Sequence, residues 1–206
     1  MATLIPIDDV LVLDGYLDTH ACARIVGELD YVLWRDSEVV RSGADGSLVT
    51  FQSQERTSRS ATQKWFGEAL NGETTQLEAR IEKDFGTAAA YLEHWQAVRY
   101  APGGRFGLHT DGGTFGDDPA GERVLTFLLC VEAPQGGGET YFPRLGRFVE
   151  PVEGRMVIWR NLLPDLTTDP RFLHAATPTR AGTKTVLTTW SRQHPARNVG
   201  ATITTG

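Results

Sequence analysis

Near residue 94 the chain changes its hydrophobic period, and that change restricts its fold more than any other feature. Downstream, helical spacing stops and eight short strand-like runs follow within about 100 residues. They are HWQAVRY (94–100), GRFGLHT (104–110), RVLTFLLCVE (123–132), GETYFP (138–143), GRFVEP (146–151), GRMVIW (154–159), RFLHAAT (171–177) and TKTVLTTWSR (183–192). Turn glycines and prolines separate them, and no helical pattern intervenes. Such a series buries its apolar faces only by closing into a sandwich or barrel.

The first 93 residues read differently. DVLVLDGYL (9–17) suggests a short strand and turn. Asp18 or Thr19 caps an expected helix over 20–33, with Cys22, Ile25, Val26 and Leu29 at helical spacing. Two further helices are expected over 60–70 and 74–86, the second closing on Gly86. The expectation is one α+β, mostly β domain over 1–206. It has a mainly helical support layer (1–93), a jelly-roll-like β core (94–192) and a tail (193–206) with a frayed end.

Charge and cysteine content narrow the function classes. Twenty basic and 26 acidic residues leave a formal net charge of -6, with no clustered Lys or Arg, which disfavours a nucleic-acid surface. Cys22 and Cys130 form no CxxC pair, which fits a reducing, cytoplasmic setting. The start, MATLIPIDDV, lacks the features of a signal peptide, and no apolar stretch is long enough to span a membrane.

The stretch FGLHTDGG places His109 and Asp111 two residues apart. With 5 histidines and 26 acidic residues, about 0.6 such pairs arise by chance, so the pair alone carries nothing. Alternation in a strand would put both on one face, where they could reach one ion. Two histidines and one carboxylate form the ligand set of non-haem Fe(II) sites. The third ligand must come from a later strand, and the downstream candidates are His174, in a strand-like run, and His194, beside a proline. His20 and His94 are read as structural or solvated. Lys184, Val186, Thr188 and Trp190 alternate onto one face, and an inward lysine there calls for an anion. Cys130 should face inward with Leu128 and Thr126 as a small core residue.

Taken together, RYAPGGRFGLHTDGG, RVLTFLLCVEAPQGGGETYFP, GRMVIW and LHAATPTRAGTKTVLTTW resemble the Fe(II)- and 2-oxoglutarate-dependent dioxygenases of the prolyl 4-hydroxylase type, over about residues 94–192. The resemblance implies a double-stranded β-helix with supporting helices. It implies iron ligation by His109, Asp111 and His174, and a 2-oxoglutarate site built from Tyr100 and Lys184, with Thr188 and Trp190 beside it. Arg123 and the GGETYFP segment also match the family pattern, whereas Cys130 stands where the family often has tyrosine and VE replaces LN. The implied reaction consumes O2 and 2-oxoglutarate and releases succinate and CO2. It hydroxylates an aliphatic C–H of an amino acid, short peptide or related metabolite, with a peptidyl or protein proline as the alternative. Related halogenases carry a small residue where this chain has Asp111, so hydroxylation is expected. Arg56, Arg59 and Phe106 are candidate substrate contacts, and 117–122 is an expected mobile lid hinged on the preceding glycines. A reading from another class is a non-enzymatic sensor that binds metal and 2-oxoglutarate.

Overall fold

The computed structural model describes residues 8–43 and 47–197. The frayed end expected at 200–206 lies outside them. In chain order the elements are β1 (Leu11–Leu13), α1 (Thr19–Leu29), β2 (Arg35–Asp36), β3 (Val39–Ser42), β4 (Leu48–Phe51), β5 (Arg56–Thr57), β6 (Arg59–Thr62), α2 (Glu68–Phe85), β7 (Gln96–Tyr100), β8 (Arg105–His109), β9 (Arg123–Glu132), β10 (Gly136–Gly137), β11 (Thr140–Phe142), β12 (Arg147–Val149), β13 (Met156–Arg160), β14 (His174–Ala176), β15 (Thr179–Ala181) and β16 (Lys184–Arg192). All eight expected downstream strands form.

The major sheet has the order β1-β13-β9-β16-β7-β6-β2, and the minor sheet β12-β11-β14-β8-β5. Every pairing is antiparallel. The result is the double-stranded β-helix expected of this pattern, with both helices on the outer face of the major sheet. The central strands explain their own sequences. Leu125, Phe127, Leu129 and Val131 of β9 pack outward against Ile25 and Leu29 of α1 and Leu70, Leu77, Ile81 and Phe85 of α2. Leu128 and Cys130 face the opposite side with Val98, Tyr100 and Val186. Because both faces are covered, β9 is an almost continuous apolar run instead of an alternating one.

The N-terminal region departs from expectation. The first helix stops at Leu29, leaving Tyr31 90% exposed, and Asp18 caps it by accepting from the Ala21 amide at 2.8 Å. The helix expected over 60–70 is instead strand β6, a short 3-10 turn (Gln63–Trp65) and the first residues of α2. Pairing of Ser60, Ala61 and Thr62 with Val98, Ala97 and Gln96 overrides the local helical preference. From Glu68 a single helix replaces the expected pair and ends on Gly86 at φ 67°. The described residues before 94 also contribute strands beside the two helices, since β1, β2 and β6 extend the major sheet and β5 the minor one. No helix among the described residues is long and apolar enough to cross a membrane.

A buried carboxylate joins α2 to the barrel. Glu78 accepts from the Trp95 indole N–H at 3.0 Å and from Arg197 Nη1 at 2.7 Å. Removing it leaves a buried guanidinium and an indole N–H without a partner. Glu78→Ala is expected to lower unfolding free energy in urea by about 3 kcal/mol. A loss under about 1 kcal/mol would show that water takes over the contact.

Candidate active site

Strand register assembles the site. His174 opens β14 and pairs directly with His109, the last residue of β8. The next pairing is Ala176 with Phe106, so three residue steps on β8 oppose two on β14. This bulge turns Phe106 and His109 to the same face although they are three apart. Their rings stack at 3.7 Å with planes 18° apart. β8 ends at His109, so Asp111 joins the site from a bend after the strand and not by strand alternation as expected.

One ligand atom from each of His109, Asp111 and His174 lies within 4.8 Å of the others. His109 Nδ1 lies 2.9 Å from the Gly107 carbonyl, and His174 Nδ1 2.9 Å from that of Phe172. Carbonyls only accept, so each Nδ1 carries a proton, and each Nε2 is the ring atom turned toward the cluster. Those Nε2 atoms lie 3.9 Å and 3.8 Å from the Asp111 carboxylate oxygens. Burial, reinforced by neighbouring His174, pushes His109 down to about 3 and keeps it neutral. Burial works against the Asp111 charge, but both imidazoles, Arg123 and the Thr126 hydroxyl hold its carboxyl below the usual range. Trp159 packs edge-on against His174 at 4.7 Å. Two imidazole Nε2 atoms and an anionic carboxylate on one side of a cavity suit a divalent iron with open positions.

The cavity has a volume of about 580 Å³. Lys184, Val186, Thr188 and Trp190 line it together, as strand alternation required. Lys184 is 3% exposed, and its ammonium donates to the Gly138 carbonyl at 2.7 Å. It forms no ion pair among the described residues, and burial lowers its pKa to about 8. The Tyr100 ring centroid lies 5.3 Å from the ammonium, and burial raises that phenol above its ordinary value. Cys130 is buried with Val98, Tyr100 and Val186, as a small core residue should be.

The expected substrate residues divide. Phe106 and Arg56 line the cavity, with the guanidinium 4.5 Å above the Phe106 ring. Arg59 does not reach it. Arg59 pairs with Arg99 and shares the outward face of Ala61 and Ala97, and it donates to the Trp34 carbonyl. His194 lies beyond β16, its amide bonded to the Ala120 carbonyl, and takes no part in the ligand cluster.

The loop after Asp111 is fastened and does not read as a free lid. Glu122 accepts from the Gly113 and Phe115 amides at 3.0 and 2.6 Å, and Gln193 Oε1 accepts from the Glu122 amide at 2.8 Å. Arg192 pairs with Asp118 and Glu93 at 2.9 Å each, and Arg123 grips Glu93 with two bonds at 2.7 and 2.8 Å. Gly113, at φ 87°, makes a turn that Thr168 packs against, with no room for a side chain. Sequence reasoning missed Glu93 and Arg192. Continuing the alternation from Trp190 would have reached Arg192, but nothing local marks Glu93.

Comparison with known proteins agrees with this geometry. The family model described as "2OG-Fe(II) oxygenase superfamily" matches residues 95–192. The prolyl 4-hydroxylase subunit alpha-1 of Gallus gallus is 31% identical over 186 residues, covering 81% of this chain and 35% of the relative. The Homo sapiens subunit alpha-1 is 30% identical over 141 residues, 66% of this chain and 26% of the relative. The chain thus spans about a third or less of the length of these curated relatives. Among solved structures, the viral collagen prolyl hydroxylase of Paramecium Bursaria Chlorella virus-1, a 2OG complex, superposes with a TM-score of 0.61 at 21% identity, covering 89% of this chain and 95% of that one. A Pseudomonas putida prolyl-4-hydroxylase gives 0.56 at 17%, covering 90% and 92%. The His-Asp-His cluster lies inside the segment 95–192 that matches the 2OG-Fe(II) oxygenase superfamily model, and the chain around it is similar to prolyl 4-hydroxylases.

Proposed function

We propose that this chain hydroxylates a prolyl residue within a peptide or protein segment, coupled to conversion of 2-oxoglutarate into succinate and CO2. The carrying observation is the cavity's extent. Its lining runs past the His-Asp-His cluster to Val39 and Val40 of β3 and also to Lys64, His94 and Ala196, a groove open to more than one residue. The prolyl 4-hydroxylase relatives support the same substrate class. A second reading has its own observation. Arg56 meets only neutral acceptors (the Glu38 carbonyl, Ser58, Ser60 and Gln96) and forms no ion pair among the described residues. A free amino acid, short peptide or related metabolite could place a carboxylate there.

In this reading His109, Asp111 and His174 hold the iron through two Nε2 atoms and a carboxylate oxygen. Iron and 2-oxoglutarate, when bound, supply the oxidising chemistry, with one oxygen atom going to succinate and the other to product. The Lys184 ammonium pairs with the distal carboxylate of the co-substrate, and the Tyr100 and Thr188 hydroxyls supply hydrogen bonds. Trp190 forms a wall, while Val98, Leu128 and Val186 keep water out. Asp111 fills the ligand position that is small in related halogenases, which favours hydroxylation over chlorination. A pure sensor would bind the same anion without turnover.

Incubation with Fe(II), 2-oxoglutarate and either a proline-containing peptide or free amino acids separates these readings. Succinate release and one added oxygen on the peptide proline are expected, and His174→Ala should abolish both without altering the circular dichroism spectrum. Oxygen added to free amino acids alone would favour the Arg56-anchored reading. No succinate under any condition would favour the sensor.

Lys184 sets a pH dependence. Its ammonium prevails below pH about 8, so affinity for 2-oxoglutarate should be flat near pH 7. Above about pH 8 it should fall, by up to about tenfold per pH unit. In Lys184→Met the affinity should be weak and independent of pH. Calorimetric titration checks both, and a wild-type affinity unchanged to pH 9.5 would remove Lys184 from the site. Without ligand, the unfolded chain binds this proton more tightly than the folded one between about pH 8 and 10.4, so stability rises with pH across that window. Lys184→Met should therefore be about 3 kcal/mol more stable than wild type at pH 7, with the gain fading toward pH 10.

A further inference from the structure

The Asp111 carboxylate accepts from one neutral side chain, Thr126, which has no part in the proposed reaction. Thr126 Oγ1 lies 2.7 Å from Asp111 Oδ2, in a contact buried on both sides. The same hydroxyl lies 2.9 Å from Asn161 Nδ2 and 3.2 Å from Asn161 Oδ1. A hydroxyl has a single proton. Asp111 is the charged acceptor and the nearer one, so it takes that proton, and charge-assisted bonds are the stronger kind. Thr126 must then accept from Asn161, which fixes the amide with its nitrogen toward the hydroxyl.

Asn161 is well placed to impose this direction. It is 3% exposed and directly follows β13. Its backbone N–H donates to the Val124 carbonyl at 2.8 Å, and its backbone carbonyl accepts from the Asp169 N–H at 2.9 Å. A side chain at Gly112, next to Asp111, would come 3.3 Å from the Asn161 carbonyl oxygen, so Asn161 also backs the bend that carries the ligand. Without the amide donor the hydroxyl could rotate, and the carboxylate would lose its fixed orientation.

Resting on the hydroxylase reading of this site, we propose that Asn161 and Thr126 form a directed hydrogen-bond relay that orients the Asp111 carboxylate for metal binding, with Asn161 acting as a positioning residue through Thr126. Partners of this kind are worth about 10- to 100-fold in metal affinity. The relay requires the two contributions to be coupled and not additive.

The test is calorimetric titration of the metal-free full chain with Co(II), together with the visible absorption of the bound Co(II). Thr126→Val should weaken Co(II) binding about 10- to 100-fold and shift the absorption bands, while Thr126→Ser should restore both. Asn161→Ala should weaken binding in the wild-type background and have less than a twofold effect in Thr126→Val. Asn161→Asp, which sets a second carboxylate competing for the one hydroxyl proton, should be worse than Asn161→Ala. Thermal melts of the metal-free variants identify any that fail to fold, and Thr126→Ser keeps the comparison available in that case. Wild-type affinity in Thr126→Val, or an Asn161→Ala effect equally large in both backgrounds, overturns the relay. Those outcomes leave the hydroxylase reading intact, whereas a wild-type chain that binds no metal defeats that reading itself.

Discussion

A strand buried on both faces is the constraint from which the rest of the molecule follows. β9 and β16 lie side by side in the middle of the major sheet and cannot turn either surface to water. Their outward residues require a cover, which α1 and α2 supply through a single apolar cluster. Their inward residues require a second sheet, but the minor sheet leaves a cavity of about 580 Å³ over them. The polar and charged residues of the site stand on this same inner face. Thr126, Lys184, Thr188 and Trp190 are therefore set by the strands that also form the core, and their precision derives from core packing.

The chemistry depends on how few charges are left unbalanced there. Arg123 and Arg192 are neutralised by Glu93 and Asp118, which also fasten the loop after Asp111. Burial keeps the His109 imidazole neutral, and Asp111 carries one negative charge beside it. Lys184 and Arg56 remain as cations without carboxylate partners among the described residues. Near the metal-binding anion, Lys184 and Arg56 thus stand without ion pairs among the described residues, an arrangement suited to a dianionic co-substrate. A structural ion network would have paired them internally.

Much of this was legible in the sequence, for physical reasons that differ by element. β9 was bounded at 123–132 because double burial writes itself as an uninterrupted apolar run, and the face of β16 was legible because alternation is rigid. The ligands were legible only as an ordered set, since His109 and Asp111 gain meaning from His174 and Lys184. What failed depended on long-range pairing. Residues 60–62 look helical locally, but β7 captures them as a strand. Arg56 and Arg59 look equivalent, yet strand pairing sends one into the cavity and the other out of it. The β8 bulge that brings Phe106 onto His109 contradicts simple alternation. The Glu93 clamp joins residues far apart in sequence, and no local pattern records it.

The lone ammonium of Lys184 has a consequence for how long the folded chain persists. A protein that buries a cation against one neutral carbonyl is less stable empty than its packing allows. Any anion that binds the folded form there and not the unfolded chain shifts the folding equilibrium by mass action, by about 2.7 kcal/mol at a hundredfold excess over its dissociation constant. Supply of that small molecule would then govern abundance as well as turnover, because the empty form unfolds more often and is more readily degraded.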